Sequence, residues 1–584
     1  MRRDKIEHPR PQFIREQWMN LNGSWLFCFD DEDRGLTMRW AEKGIPEGQT
    51  ILVPYTYETP KSGIGDEGEH KVVWYQKTVQ LTPEMLEGRI LLHFEGVDYH
   101  ASVWVNGQAA GEHVGGYDRF SMDISPFVFP GGNEVVVRAC DSLSEEQVRG
   151  KQRWKKDSYA CWYVQTTGIW KTVWLECVGK TYLRDVKITP CLEHDEVLLE
   201  AVVAGDRPNG MDFEAEVFYD GLPVAKGSVQ VRQGRANLRL NLYHTGTDFW
   251  GIMKWTPDMP NLYDVQFFLS QEKTHLDRVC SYFGMRSVSI KGDQVLLNGY
   301  PIYQKLVLYQ GYWKESHLTP PDEDAIIADI DAVLRFGFNG VRVHQKVEDE
   351  RFLYWCDVKG LLVWGEMPSF YRYTDDAITA FGREWASVVR QVYNHPSIIT
   401  WTPLNESWGI PKVYSDRRQQ AFTQAIYHMT KALDGERPVI VNDGWEHTVS
   451  DIVTLHDYEE NSGDFEWRYT DYWDELMDGR RPHCDTKYAM AQGFYAGGRP
   501  VMISEYGGIA FCDGQGWGYG SQAGDEEAFF RRFAAITKAI MGNPNICGFC
   551  YTQLTDVQQE VNGLLDAERR EKVDAGRIRK ILNP

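Results

Sequence analysis

The sequence predicts a multidomain chain in which two β-sandwiches precede a (β/α)8 barrel. Three observations predict it. Up to about residue 290 the chain reads as short strands punctuated by Gly, Pro and Asn-Gly, with no long 3.6-residue period. After Leu297-Asn298-Gly299, short apolar runs alternate with long helical patterns. Eight strand signals then follow over ~280 residues, each succeeded by a helix or long loop, which is the count and length of one barrel. The predicted domains are a jelly-roll sandwich over 1–178, an immunoglobulin-like sandwich over 179–290 and a TIM barrel over 291–584.

Each element has a local reason. Asn22-Gly23 is a turn leading into the strand at Trp25, and Val105-Asn106-Gly107-Gln108 is a tight hairpin. In the second block, the runs 186–189, 197–203, 213–219, 236–242 and 263–269 are strand-like, without a Cys–Trp–Cys signature. In the third, strands are predicted at 302–308, 340–344, 361–365, 398–401, 439–442, 452–456, 501–505 and 546–552. Helices are predicted at 322–336, 349–359, 381–393, 415–433 and 525–541. No Gly-rich phosphate loop follows the first of these strands, which argues against an open doubly wound sheet.

Lys and Arg total 62 against 84 Asp and Glu, a net charge of −22. Nucleic acids and anionic membranes, which need a basic face, are excluded as expected partners. The charged N-terminus has no apolar core of a signal peptide, and no run of ~18 apolar residues could span a bilayer. Eleven cysteines, an odd count without framework spacing, point to reduced thiols and a cytoplasmic location. Cys547 and Cys550 have a redox spacing, but no second pair or His completes a site, and residues three apart on a strand face opposite sides. The 21 Trp and 13% aromatic content suit sugar stacking, with core packing covering most of them.

Residues just past the C-terminal ends of barrel strands line a barrel's active site. Here these include Arg342 and His344, Glu366, Asn405, Glu406 and Trp408, Asp457 and Tyr458, Glu505 and Tyr506, and Thr552 and Gln553. The cleft is rich in acids, amides and aromatics. It has no nucleophile elbow, no Ser-His-Asp order and no metal-ligand cluster. Paired carboxylates therefore carry the chemistry, the minimum set for breaking a glycosidic bond. Glu406, beside Asn405 and Trp408, suits the proton donor; Glu505, backed by Gly507 and Gly508, suits a fixed nucleophile. Asn405 suits the sugar 2-hydroxyl, and Tyr458 suits orienting the nucleophile.

Asn405-Glu406 after strand four and Glu505 after strand seven resemble retaining glycosidases of the barrel clan. Leu21-Asn22-Gly23-Ser24-Trp25, Val103-Trp104-Val105-Asn106-Gly107, Gly115-Gly116-Tyr117 and the run Thr167 to Glu176 resemble glycoside hydrolase family 2. Phe283-Gly284-Met285-Arg286, Gly337 to Arg342 and Glu505-Tyr506-Gly507 continue the likeness in order. The resemblance implies a sugar-binding-type jelly roll and retaining exo-hydrolysis, with Glu406 as acid/base and Glu505 as nucleophile. It places Tyr551 where the family's strand-eight Trp stands, so Tyr551 joins Arg342, His344, Glu366, Asn405, Trp408 and Tyr458 as expected substrate contacts. Departures fall on the sugar-reading side: Val343 to Glu348, Leu308 to Gly311, and Asn562-Gly563-Leu564 in place of an Asn-x-Lys uronate clamp. A buried uronate without a cation is costly, which disfavours a glucuronide, although Lys346 stands as a substitute cation.

The expected function is therefore an exo-acting retaining β-glycosidase acting on a small oligosaccharide or glycoside, with a β-galactoside as substrate. The alternatives are an α-L-arabinofuranosidase or arabinopyranosidase, a β-glucuronidase, a transglycosylase, or a non-catalytic carbohydrate-binding protein. No cofactor is expected; Mg²⁺ occurs near the acid/base in some family members, but no ligand set here supports claiming it. Assembly into a homo-oligomer is compatible with the sequence.

Overall fold

The computed structural model describes residues 5–46, 48–511 and 516–584; the first four residues of the charged N-terminal stretch lie outside them. The first sandwich packs a six-stranded antiparallel sheet on a four-stranded one. Its core is formed by side chains such as Trp25, Tyr75, Phe94, Val103 and Val137. The hairpin His100–Val105/Gln108–Val114 turns through Asn106 and Gly107, both left-handed at φ 50° and 75°. Asn and Gly are the residues that tolerate such a turn, so the local sequence sets this register. The second sandwich pairs three- and four-stranded sheets around Leu199, Phe213, Val265 and Phe267. Its strand Glu196–Gly205 alternates buried and half-buried positions, the period-2 signature of one face on a core.

A long segment without named strands, 141–167, separates the first sandwich's strands Gly131–Cys140 and Gly168–Ile169. The sequence reading took this region as β throughout; the structure instead sends it across to the barrel, where Arg149 and Gly150 donate backbone N–H bonds to the Ser369 carbonyl at 3.0 Å. Loops this long without secondary structure of their own are commonly functional.

The third module is a parallel barrel with strands β1 Gln304–Tyr309, β2 Gly340–Val343, β3 Leu362–Glu366, β4 Ile398–Thr402, β5 Asn442–Asp443, β6 Val453–His456, β7 Val501–Gly507 and β8 Ile546–Thr552. Seven form one curled sheet in the order β4-β3-β2-β1-β8-β7-β6. The short β5 closes the ring. It pairs in parallel with Leu404–Asn405, just past β4, and Gly444 bonds Thr454 and His456 of β6. Helices begin where an acidic or hydroxyl side chain caps them: Asp322 accepts from Ala325 N, Thr374 from Ala377 N, and Asp525 from Ala528 N. Such caps each contribute ~1 kcal/mol, which is why these helices start beside Asp or Thr.

Buried polar contacts lock the modules together. Arg15, 5% exposed, bonds Glu176 of the first sandwich and Asp277 of the second. Arg286 bonds the carbonyls of Pro396 and Ile398 and the Glu436 carboxylate. Lys171 donates to the carbonyls of Val347 and Glu348, so the first sandwich is keyed to the loop after β2.

Candidate active site

The centre forms where β2, β4, β6 and β7 end. Glu406 and Ser407 both adopt left-handed backbone, at φ 52° and 57°. Non-Gly residues pay for that conformation, so surrounding bonds must hold it. They do: Glu406 N donates to the Asp443 carbonyl at 2.9 Å, Ser407 N to Asn442 Oδ1 at 2.9 Å, and Ser407 Oγ to Glu446 at 2.6 Å. β5, short as it is, thus fixes the turn that aims Glu406 into the cleft.

Glu505 lies on β7 with its side chain 6% exposed, whereas the Glu406 side chain is 17% exposed. Glu505 accepts from Arg342 Nη1 at 2.7 Å and from the Tyr458 hydroxyl at 2.5 Å. His456, at the end of β6, joins the two acids. Its Nδ1 is 2.7 Å from Glu406 and 3.5 Å from Glu505, and its Nε2 is 2.9 Å from Asp443. Carboxylate oxygens of Glu406 and Glu505 lie within 4.8 Å of one another.

The electrostatics hold Glu505 as a carboxylate. Burial alone would push the Glu505 carboxyl up; the His456 imidazolium and Arg342 guanidinium more than reverse this and hold it down at about 2. Burial likewise works against a charged His456, yet Glu505 and Asp443 raise it to about 10, so it stays an imidazolium. The Tyr458 phenol is pushed well up by burial and by Glu505, which keeps it a proton donor to the carboxylate. Glu406, Glu505 and His456 are close enough to hold a metal.

Arg342, wholly buried, organises the floor. It bonds Glu366 at 2.7 Å, Asp443 at 2.8 Å, Glu505 at 2.7 Å and Asn405 Oδ1 at 2.7 Å. Asn405 is thereby oriented with its buried Nδ2 lacking a partner among the described residues, a donor free for a ligand hydroxyl. Glu366 also receives His344 Nδ1 at 2.9 Å and is held down: burial opposes, but Arg342 and His344 prevail. Arg342 and Glu366 therefore lie beneath the cleft and position the groups above. The Trp408 ring forms a wall with Trp162 and Tyr371, each 5.7 Å away between ring centres, and His344 lies 6.3 Å from it. Tyr519 stacks on Tyr458 at 3.4 Å.

Three sequence expectations are corrected, at Tyr551, Lys346 and Asp457. Tyr551 does not enter the cleft. Its ring packs outward on Phe533 and Tyr506, 5.0 and 5.5 Å away, between β8 and a helix. Side chains alternate along a strand, so Cys550 and Thr552 face inward instead, and Thr552 Oγ1 lies 3.2 Å from the Tyr458 hydroxyl. Lys346 is no substitute cation: it is buried against Glu348 at 2.7 Å and donates to the Gly311 carbonyl. Asp457, adjacent to Tyr458, turns away to pair with Arg468. Sequence reasoning missed His456 and Asp443, although both end barrel strands. It also missed Trp162, which comes from the 141–167 segment.

Two sandwiches followed by a parallel barrel, with paired glutamates joined through an imidazolium, define a modular barrel protein of the paired-carboxylate class. The chain belongs to glycoside hydrolase family 2. Three models of that family match in order: the sugar binding domain over residues 18–176, the family's central domain over 181–286 and its TIM barrel domain over 288–509. Among relatives, a putative β-glucuronidase of Formosa agariphila is 26% identical over 476 residues, covering 78% of this chain and 54% of that protein. A β-galactosidase of Thermoanaerobacter pseudethanolicus is 25% identical over 413 residues, covering 69% and 54%. The chain thus spans about half the length of these curated relatives. A β-glucuronidase structure from Ruminococcus gnavus, bound to an N1-substituted uronic isofagomine, superposes with TM-score 0.79 at 18% identity over 98% of this chain and 99% of that one. At that identity the likeness is one of fold.

Proposed function

We propose that the protein is an exo-acting, retaining β-glycosidase that hydrolyses a terminal neutral sugar, with a β-galactoside as substrate. The observation that carries the retaining reaction is the spacing of Glu406 and Glu505 oxygens, within 4.8 Å. Retaining enzymes place their carboxyls ~5–5.5 Å apart, whereas inverting enzymes leave ~6.5–9.5 Å for a water. Glu505, held ionised at about 2, attacks the anomeric carbon. Glu406 gives its proton to the departing glycosidic oxygen as that bond breaks. Water then attacks the glycosyl-enzyme ester, Glu406 takes its proton, and Glu505 leaves as carboxylate. Asn405 Nδ2 suits the 2-hydroxyl, a contact that tightens in the transition state.

The names of the relatives divide between galactoside and glucuronide. For a glucuronide, the chain needs a cation at the uronate. Lys346 is sequestered, and the Asn562-Gly563-Leu564 segment offers a buried Leu564 in the place of a lysine. The ten described cysteines are all unpaired, which supports a reducing, cytoplasmic setting.

The test is chemical rescue. Glu505→Ala and Glu406→Ala should each cut turnover by about three or more orders of magnitude, and azide should restore product with opposite anomeric configurations in the two variants. Near-wild-type turnover in either variant would end the assignment. A panel of nitrophenyl galactoside, glucoside, mannoside, arabinosides and glucuronide then reads the sugar.

A further inference from the structure

A second polar cluster lies in the cleft, and the reaction above does not use it. Lys151, from the 141–167 segment of the first sandwich, is 7% exposed. Its ammonium sits 4.0 Å from Glu560 and 5.6 Å from the centre of the Trp408 ring. Burial works against its charge, but Cys161, Glu560, Glu505 and Glu406 reverse this and keep it protonated. Glu560, 2% exposed, accepts from the Tyr163 hydroxyl and from Asn562 Nδ2 at 3.2 Å. Asn562 Oδ1 accepts from Gln553 at 2.7 Å, and Gln553 Oε1 from Gln310 at 2.6 Å. The chain of bonds ends on an orphan. Gln310 Oε1, on a residue only 3% exposed, has no partner among the described residues. A buried amide oxygen without a donor is costly unless a ligand supplies one.

Lys151 raises the alternative that it binds a uronate. The charges oppose this. The carboxyl groups of Glu366, Asp443, Glu505, Glu560 and Glu406 stand here against three cations, Arg342, His456 and Lys151. A uronate at Lys151 would add another anion beside Glu560, itself only 2% exposed. A neutral sugar fits instead. A hydroxyl can supply the donor that Gln310 Oε1 lacks, a donor to Glu560 and an acceptor for Lys151 without adding charge.

We propose that Lys151, Glu560 and Gln310 form the wall that reads the sugar's hydroxyls and selects a neutral glycopyranoside over a uronate. This rests on the glycosidase reading above for turnover, but not for binding. The test compares kcat/KM for neutral nitrophenyl β-glycosides and nitrophenyl β-glucuronide in wild type, Glu560→Gln, Lys151→Met and Gln310→Ala, with galactono-lactone binding by calorimetry and thermal midpoints alongside. Wild type should favour its best neutral glycoside over the glucuronide by about 100-fold or more. Glu560→Gln should lower kcat/KM for neutral glycosides by roughly 10- to 100-fold and narrow that preference, since a charged acceptor is lost. Lys151→Met should weaken neutral substrates by about tenfold and leave the glucuronide poor. A wild-type preference for the glucuronide, or its selective loss in Lys151→Met, would overturn the proposal. So would equal losses on all substrates with a lowered thermal midpoint in all three variants, the mark of a purely structural cluster. If wild type turns over no glycoside, the catalytic reading fails by itself; the wall is then judged on lactone binding, which Glu560→Gln must weaken.

Discussion

Replacing His456 by Asn tests the electrostatic core of the proposed mechanism. The imidazolium bonds Glu406 at 2.7 Å and Asp443 at 2.9 Å and lies 3.5 Å from Glu505. Asn keeps a donor of smaller reach but carries no charge. A charge-assisted hydrogen bond has a net worth of ~1.5–3 kcal/mol, and about 1.4 kcal/mol is tenfold in rate, so kcat/KM should fall by roughly 10- to 150-fold. A second signature follows from Glu505. Burial pushes its carboxyl up, and His456 and Arg342 together bring it down to about 2. With the imidazolium gone, the carboxyl rises, and the acid limb of kcat/KM moves to higher pH. The assay is initial rates on the best nitrophenyl glycoside, from neutral pH down to about pH 3, with circular dichroism as a check on folding. A kcat/KM within about threefold of wild type with an unmoved acid limb would refute the claim that His456 governs the nucleophile.

Tyr458→Phe removes the hydroxyl that donates to Glu505 at 2.5 Å and should slow turnover by about tenfold, with a folded protein of unchanged denaturation midpoint. Arg342→Met leaves Glu366, Asp443 and Glu505 buried without their shared cation, and should cost about 3–5 kcal/mol in denaturant unfolding of the barrel. Stability should also depend on pH through His456, raised from 6.5 to about 10. Its contribution is complete below 6.5, erodes as pH rises from there, and is gone above about 10. Glu505 acts in the opposite sense: its contribution is present above 4.5 and is lost as pH falls through about 2. Denaturation midpoints across alkaline pH should therefore decline less steeply in His456→Asn than in wild type.

Much of the fold was legible because its signals are local. The Asn106-Gly107 hairpin, the helix starts at Asp322 and Asp525, and the apolar runs of β3, β4 and β7 need only neighbouring residues to form, whereas the helix predicted from 381 begins six residues earlier, under the Thr374 cap. The paired Glu406 and Glu505 were legible because each follows or ends a strong strand pattern. Tyr551 was placed in the cleft by resemblance, whereas its side of β8 is settled by the register of that strand against β1 and β7. Asp443 directly follows the strand predicted at 439–442, but only the pairing of Asn442–Asp443 with Leu404–Asn405 shows that its side chain reaches Arg342 and His456.

The sequence by itself determined the module order, the strand ends that carry Asn405, Glu406, Tyr458 and Glu505, and hence the reaction class proposed. Periodicity and turn chemistry are properties of short windows, and those windows were enough. Only the tertiary structure decided that a single imidazolium, His456, ties both acids together and that Lys346 is committed to Glu348. It also decided that a lysine more than 250 positions before Glu406, Lys151, reaches the cleft from another domain. Electrostatic partnership depends on distances of a few ångströms between residues far apart in the chain, and docking of the modules sets those distances.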